Sequence, residues 1–394
     1  SYVDLAGTIA GARFGNDNEI NLSYVGITSD TGVIIGNGNT AWFSIDTGTA
    51  IDSVFLEAGD DNEIEIQAYR TLVIDDGNVV NAGDGNTITL GRNYSAVNGL
   101  LVNAGDDTTI IADGFGGNFN DIFAVGDRSK ITGSFGAYGS LNSGIYAGDD
   151  LEYSARASFT ADGTAFDVGN RATIVIQSGS DITAGANAVL ADDELELILA
   201  GRLESTGDSA IAAGMYANIS NYGAIYAPEV AVEAGQYLTF HNYGFINATI
   251  DADSHADITL HEDSLVYSPL GEDGISIDDD SVVRVYGTID DGYDADHVVI
   301  DPVTGEELDF EGSNAKGIDG DDRNTVYVGG IISTGDAAIE LDDFATVMVE
   351  EGGVVKSGDT ALDLGEDANV TNYGDIISEN HAVKVKENSM VVNH

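Results

Sequence analysis

Cysteine is absent from the sequence, so neither a disulfide nor a thiolate metal site can form. Proline occurs only 3 times, whereas glycine occurs 50 times. Proline removes a backbone donor from a β-ladder, and glycine accepts the backbone angles of tight turns. This combination is typical of hydrogen-bonded strands that are joined by frequent turns.

Basic residues are also scarce. Lys and Arg together number 14, Asp and Glu number 68, and the formal net charge is −54. Such a chain repels nucleic acid and anionic membrane surfaces, so we expect no nucleic-acid partner. Two explanations of the charge remain open. The carboxylates either keep an exported or halophilic protein in solution, or they bind divalent cations.

Long apolar runs are missing as well. No stretch approaches the ~18 apolar residues of a membrane span, so none is expected. The sequence starts at Ser1 without a signal peptide, which predicts a processed form or an excerpt. Large proteins without disulfides are common on bacterial and archaeal surfaces. An extracellular or cell-surface location is therefore predicted.

One short phrase recurs along the chain: a Gly, then acidic or Asn residues, then alternating apolar residues. Gly59-Asp60-Asp61-Asn62-Glu63-Ile64 is a clear copy. About 17 starts can be counted, mostly about 21–24 residues apart, and the interval from 278 to 321 is nearly double. The starts are Gly15, Gly36, Gly59, Gly83, Gly105, Gly126, Gly148, Gly169, Asp192, Gly214, Gly235, Asp253, Asp278, Asp321, Asp342, Gly365 and Lys386.

Each repeat contains three short segments with period-two alternation, which indicates strands separated by turns. One repeat cannot bury its apolar face alone, but repeats stacked about 4.8 Å apart form a continuous core. The sequence therefore predicts an all-β, single-stranded parallel β-helix of about 17 coils. It is predicted to be one continuous solenoid over residues 1–394, with a loop insertion at about 290–316 that projects from its side.

The repeat, with Asn at a turn and Gly-Asp corners, resembles the right-handed parallel β-helix. That fold occurs in pectate-lyase-like enzymes, phage tailspikes, autotransporter passengers and large bacterial adhesins. The resemblance covers essentially the whole chain. It implies an architecture and leaves the activity open, because many functions share this scaffold.

The acidic corners are candidate metal ligands. Unit charges about 4.8 Å apart repel by roughly 0.9 kcal/mol even in water, and Ca²⁺ takes six to eight oxygen ligands. We therefore expect Ca²⁺ between coils, while solvated turn residues are the alternative. The candidates are Asp60, Asp61, Asp84, Asp106, Asp107, Asp127, Asp149 and Asp150 at the corners, and Asp294 and Asp296 in the insertion.

Catalytic machinery is not evident. The sequence has no P-loop, dinucleotide fingerprint, HExxH motif or nucleophile elbow, so the chain is predicted not to be an enzyme. Polysaccharide lyases with this fold use Ca²⁺ and a basic residue, and Arg284 is the best candidate for that base. None of the 6 histidines forms a paired metal spacing on one strand, which predicts ordinary surface residues.

A tripeptide recurs at one position of the repeat. It occurs as Asn221-Tyr222-Gly223, Asn242-Tyr243-Gly244 and Asn372-Tyr373-Gly374. Stacked Asn amides hydrogen-bond along a solenoid axis, and stacked Tyr rings bury area. We expect the first two copies to lie on adjacent coils, Asn on Asn and Tyr on Tyr.

Three functions remain open at this point. The leading hypothesis is a structural or adhesive extracellular β-helix, from a surface layer, fibre or adhesin, with a polysaccharide or cell-surface partner. The others are a carbohydrate-active enzyme with a site near the insertion and a passive spacer stalk. The sequence starts and stops inside a repeat, which predicts either a fragment or head-to-tail self-association through open solenoid ends.

Overall fold

The computed structural model describes residues 1–9, 11–27, 32–45, 49–51, 54–74, 77–268, 271–292, 299–301, 303–308 and 315–394. These residues form β-strands and no helix. They divide into two compact units, Ser1–Asp192 and Asp193–His394, and the strands of each unit are paired in parallel. The predicted fold class, an all-β parallel solenoid, is thereby confirmed. The prediction of one continuous solenoid stays a prediction.

The first unit is built from strands that are three to eighteen residues long. Several of the short strands predicted for each coil are joined here into longer ones, such as Thr87–Ala104. The strands are Tyr2–Ile9, Ala12–Phe14, Glu19–Ile27, Val33–Ile35, Thr40–Ile45, Thr49–Ile51, Leu56–Ala58, Glu63–Ile74, Val80–Ala82, Thr87–Ala104, Thr109–Gly117, Phe119–Val125, Lys130–Leu141, Ile145–Ala147, Glu152–Ala161, Phe166–Val168, Thr173–Ile176, Asp181–Ala184 and Val189–Ala191.

The second unit follows the three-strand pattern more regularly. Glu196–Leu199 pairs with Asn218–Asn221, and Arg202–Ser205 pairs with Ala224–Ala234, so each partner lies one coil later. The strands are Glu196–Leu199, Arg202–Ser205, Ile211–Ala213, Asn218–Asn221, Ala224–Ala234, Thr239–Asn242, Phe245–Ala252, Asp257–Leu260, Leu265–Tyr267, Ile275–Ile277, Val282–Val285, Thr288–Asp290, Ile318–Gly320, Thr325–Val328, Ile331–Thr334, Ile339–Leu341, Thr346–Val349, Val354–Ser357, Thr360–Leu364, Asn369–Asn372, Asp375–Ser378, His381–Val385 and Met390–Asn393.

The core of each unit consists of columns of apolar side chains that run from coil to coil. Because strand residues alternate between the two sides of the backbone, every second residue enters the core. Burial of each such side chain stabilises the fold by about 1.5–3 kcal/mol. A column in the first unit is Ile64, Ile88, Ile110, Ile131, Tyr153 and Ile174, and one in the second is Leu197, Ile219, Phe240, Ile258, Val283, Val326, Val347 and Val370.

The insertion leaves the pairing of the coils intact. Ile275–Ile277 pairs directly with Ile318–Gly320, and Val285 pairs with Val328, so strands on either side of the extra residues remain neighbours. The last strand before the insertion is Thr288–Asp290. The predicted position near 290–316 therefore agrees with the break between these strands.

Candidate functional site

The corners of the solenoid share one backbone conformation. At all 17 predicted starts, the residue two positions later has a positive φ, for example 56° at Asp61 and 56° at Asp107. Glycine, aspartate and asparagine accept this left-handed conformation more readily than other residues, and they occupy 9 of these 17 positions. About 15 turns are formed, slightly fewer than the predicted 17.

The second residues of the corners form a row along the first unit, which we call the inner row. The backbone N–H of Asp106 donates to Oδ1 of Asp84 at 3.0 Å, and that of Asp127 donates to Oδ1 of Asp106 at 3.1 Å. The same contact recurs between neighbouring coils throughout the row. Its members are Asn16, Asn37, Asp60, Asp84, Asp106, Asp127, Asp149 and Asn170. One carboxylate oxygen of each aspartate therefore satisfies a backbone donor of the next coil.

The third residues of the corners carry arginine clamps. Arg128 donates from Nε and Nη2 to the two carboxylate oxygens of Asp107, both at 2.8 Å. Arg171 holds Asp150 in the same way, at 2.7 and 2.9 Å. These hydrogen bonds lower the pKa of Asp107 and of Asp150. Two of the predicted calcium ligands are thus already neutralised by a side chain.

A further clamp lies in the second unit. Arg323 donates to both carboxylate oxygens of Asp280, at 2.8 and 3.0 Å, and to Oδ2 of Asp279 at 2.8 Å. The hydrogen bond from Arg323 lowers the pKa of Asp280. The sequence shows an arginine one coil after an aspartate at each clamp. The ion pair could be inferred only from the structure, where the third residues of adjacent corners lie next to each other.

A second acidic row was not singled out from the sequence. Aspartate replaces the corner glycine at positions 253, 278, 321 and 342 of the second unit. Burial, followed by the charges of Asp253 and Asp251, raises the pKa of Asp278. Burial, followed by the charge of Asp278, raises the pKa of Asp321. We call these four aspartates the outer row. Their negative charges are not fully compensated, so the carboxylates repel one another.

The ten predicted metal ligands do not form a coordination cage where they are described. Among the described residues, no group of three or more His, Asp and Glu side chains could hold a metal ion. Asp60, Asp84, Asp106, Asp127 and Asp149 lie in the inner row, whereas Asp61, Asp107 and Asp150 occupy the positive-φ positions beside it. Asp294 and Asp296, like His297, lie outside the described residues. Calcium binding stays a prediction.

The described part of the insertion packs against the strands instead of projecting freely. Val299 joins a buried cluster with Ala224, Tyr226, Phe245 and Tyr267, and Leu308 contacts that cluster. This contact buries apolar side chains that a freely projecting loop would leave in water. These two side chains therefore lie against the strands, and projection of the rest of the insertion stays a prediction.

A buried carboxylate fastens the same segment. The hydroxyl of Tyr226 contacts Oδ1 and Oδ2 of Asp301 at 2.9 and 3.1 Å, and the N–H of Val303 donates to Oδ1 at 2.7 Å. Burial, and then the hydrogen bond to Asp301, raises the pKa of Tyr226. Burial acts to raise the pKa of Asp301, but the hydrogen bonds from Val303, Thr304 and Tyr226 outweigh it and lower the pKa.

Arg284, the predicted lyase base, is engaged on the surface of the coils. Its Nη1 donates to Oδ1 of Asp257, and its guanidinium lies 5.9 Å from the ring centre of Tyr327. A catalytic base must reach the substrate proton that it removes, and this side chain is held by Asp257. The catalytic role would first require Asp257 to release this side chain.

The predicted Asn and Tyr ladder is confirmed. Asn221 donates from Nδ2 to Oδ1 of Asn242 at 2.8 Å, and the rings of Tyr222 and Tyr243 stack with centres 4.5 Å apart. The ladder continues where the tripeptide does not, because His261 stacks on Tyr243 at 3.8 Å. Stacked rings present their edges to solvent, so they favour axial stiffening over ligand stacking.

A pair of histidines adjoins this ladder. Nδ1 of His241 lies 3.3 Å from Nε2 of His261, and both side chains are half-buried. Burial, and then the charge of His241, lowers the pKa of His261. The two residues belong to adjacent coils, so a search for histidines on one strand could not find them.

Comparison with known proteins identifies no relative: no family model, curated protein or solved structure matches the chain. The parallel β-solenoid is therefore shown by the structure alone. No match supports the resemblance to particular β-helix families.

Within the ranges that the structure describes, no helix is long and apolar enough to cross a bilayer.

Proposed function

We propose that the chain is an extracellular structural or adhesive β-helix, of the kind found in surface layers, fibres and adhesins. The observation that carries the proposal is the direction of its polar contacts. Asp84 bonds the backbone of Asp106, Arg128 clamps Asp107, and Tyr222 stacks on Tyr243, each across adjacent coils. Side chains used in this way stiffen the solenoid along its axis.

The composition supports a location outside the cell. A net charge of −54 keeps a protein in solution and repels like-charged chains, and the absence of cysteine removes any dependence on redox conditions. The same carboxylates favour cationic or cation-bridged partners, including anionic polysaccharides joined through a divalent ion.

Calcium is part of the proposal as the ion that screens or bridges the acidic edge. Support comes from the outer row, where burial, followed by the charges of neighbouring carboxylates, raises the pKa of Asp278 and of Asp321. Hard cations prefer such oxygen ligands. In thermal unfolding at matched ionic strength, millimolar Ca²⁺ is expected to raise the midpoint well above its value in Na⁺, and EDTA to reverse the rise. Equal effects of Ca²⁺ and Na⁺ would show solvated carboxylates instead.

Self-association through solenoid ends is tested separately. Parallel strands at an uncovered end present unpaired N–H and C=O groups that a second copy can pair with. Light scattering and electron microscopy at high protein concentration with Ca²⁺ are expected to show filaments. A monodisperse monomer that still binds cells or polysaccharide would keep the adhesive function and exclude the filament. A chain that neither assembles nor binds would fit a passive spacer.

The second candidate is a carbohydrate-active enzyme acting near the insertion. A cavity of about 170 Å³ in the second unit is lined in part by Glu229, Asn247, Ser268 and Glu272, which include two carboxylic acids. Glycoside hydrolysis requires a carboxylate pair. Turnover of a polysaccharide panel that Arg284→Gln or Glu272→Gln abolishes would establish the enzyme and displace the structural proposal.

A further inference from the structure

Two imidazoles face each other on the outside of the second unit. His241 lies in strand Thr239–Asn242, and His261 directly follows strand Asp257–Leu260, which pairs with it in parallel. The facing atoms are Nδ1 of His241 and Nε2 of His261, 3.3 Å apart. The two nitrogens are therefore in contact, although their residues are separated by a full coil.

The separation of the two nitrogens matches a tetrahedral metal centre. Zn–N bonds are about 2.0–2.1 Å long, so two nitrogens on a tetrahedral zinc lie about 3.3 Å apart. In a square-planar Cu²⁺ site, adjacent nitrogens would lie about 2.8 Å apart. The observed 3.3 Å therefore equals the separation of two nitrogens that are bound to one tetrahedral zinc.

Neighbouring groups hold His261 in this orientation. The ring of Tyr243 stacks on it at 3.8 Å with an interplanar angle of 8°. The backbone N–H of His261 donates to the carbonyl oxygen of Asn242 at 2.9 Å. The backbone carbonyl oxygen of His261 accepts from Oγ of Ser264 at 2.7 Å. Ligands that are fixed before the ion arrives lose little conformational freedom on binding, which favours affinity.

We infer that His241 and His261 form a two-histidine Zn²⁺ site whose remaining positions are filled by water. Both side chains are half-buried at the surface of the second unit. One facing nitrogen carries the hydrogen of the present N···N contact, and binding moves it to the other nitrogen of that ring by tautomer exchange. The site takes a borderline metal through nitrogen, so it is independent of the proposed calcium and structural role.

Calorimetric titration of the whole chain with ZnCl₂ at neutral pH tests the site, with excess CaCl₂ present to occupy carboxylates. The test variants are His241→Gln, which retains the stacking of Tyr243 on His261, and His261→Gln. The control is His381→Gln, an exposed histidine in strand His381–Val385. Circular dichroism checks that each variant keeps the β-fold.

The expected result is one Zn²⁺ bound per chain, with affinity reduced roughly tenfold or more in either test variant. The control should bind as the parent does. If the parent binds no Zn²⁺, or if His241→Gln binds it as tightly as the parent, the inference is overturned. Either result would leave the calcium and assembly experiments unaffected, because those concern the acidic rows and the solenoid ends.

Discussion

Tyr153 stands in a core column that is otherwise formed by isoleucines in neighbouring coils. It pairs with Ile131 on one side and Ile174 on the other, and its side chain is fully buried. Its ring packs edge-on against Phe166, with centres 4.9 Å apart. The hydroxyl has no hydrogen-bond partner, and burial raises the pKa of Tyr153. Burial of an unpaired hydroxyl costs free energy that a phenylalanine would avoid.

Tyr153→Phe is expected to raise the free energy of unfolding by about 1 kcal/mol, since it removes the buried donor and keeps the ring. The measurement is urea unfolding followed by circular dichroism. Tyr146→Phe is the matched control, because Tyr146 is 38% exposed in strand Ile145–Ala147 and its hydroxyl reaches water. A loss of stability in Tyr153→Phe alone would mean that the hydroxyl has a partner, such as a buried water.

At the residue scale, the sequence predicts contacts between residues of a recurring motif but not contacts that occur only once in the chain. The Asn221–Asn242 contact followed from a recurring tripeptide. Period-two alternation predicts only that position 153 faces inward, so it cannot distinguish a satisfied hydroxyl from an orphaned one. The His241–His261 contact depends on a diagonal between adjacent coils, which no single-strand pattern contains.

At the scale of the element, the corner is the unit that the sequence predicts best. The third residue of each corner must adopt the left-handed backbone conformation, and it has a positive φ at every predicted start. What a corner side chain does was less predictable, because solvation, calcium binding and hydrogen bonding all favour aspartate. The structure shows that Asp84 accepts a backbone N–H from the next coil. The path of the insertion was unpredictable for a different reason, since its contacts with Tyr226 depend on no repeat.

The arginine clamp allows a prediction about paired corners. Arg128→Gln is expected to lower the thermal midpoint modestly at neutral pH, because exposed ion pairs contribute little but this one is bidentate. The folded-state pKa of Asp107 lies below its ordinary value of 3.8. Its contribution is therefore present above that value and is lost as the pH falls through the lowered pKa.

The difference in midpoint between the parent and Arg128→Gln should accordingly shrink in acid and in concentrated salt. Thermal unfolding by circular dichroism across a pH series measures it. Arg13→Gln serves as the control, since Arg13 is exposed in strand Ala12–Phe14 and no ion pair is described for it. A difference that persists below the pKa of Asp107 would show that Arg128 acts through packing instead of charge.

At the scale of the whole molecule, the net charge of −54 affects the stability of the two units differently. At the corners of the first unit, backbone donors compensate the inner-row carboxylates, and Arg128 and Arg171 compensate Asp107 and Asp150 beside that row. In the outer row of the second unit, carboxylates at Asp278 and Asp321 have raised pKa values. Ionic strength should therefore stabilise the second unit more than the first, because screening removes repulsion where it is uncompensated.

Asp278→Asn tests this distribution of charge. Because the folded-state pKa of Asp278 is raised, the unfolded chain loses this proton first as the pH increases. Stability therefore falls as the pH rises from the ordinary value of 3.8 through the raised pKa, and the variant lacks that fall. At neutral pH and low salt, Asp278→Asn is expected to raise the thermal midpoint by a few degrees.

The control for this experiment is Asp113→Asn, which removes an exposed carboxylate from strand Thr109–Gly117 in the first unit and reduces the net negative charge by the same amount. If global charge alone destabilised the fold, both variants would gain stability to the same degree. A gain confined to Asp278→Asn, and reduced by added salt, identifies local repulsion in the outer row. If Ca²⁺ removes that gain at a concentration where Na⁺ of matched ionic strength does not, then Ca²⁺ binds at the outer row, where the carboxylates repel one another in its absence.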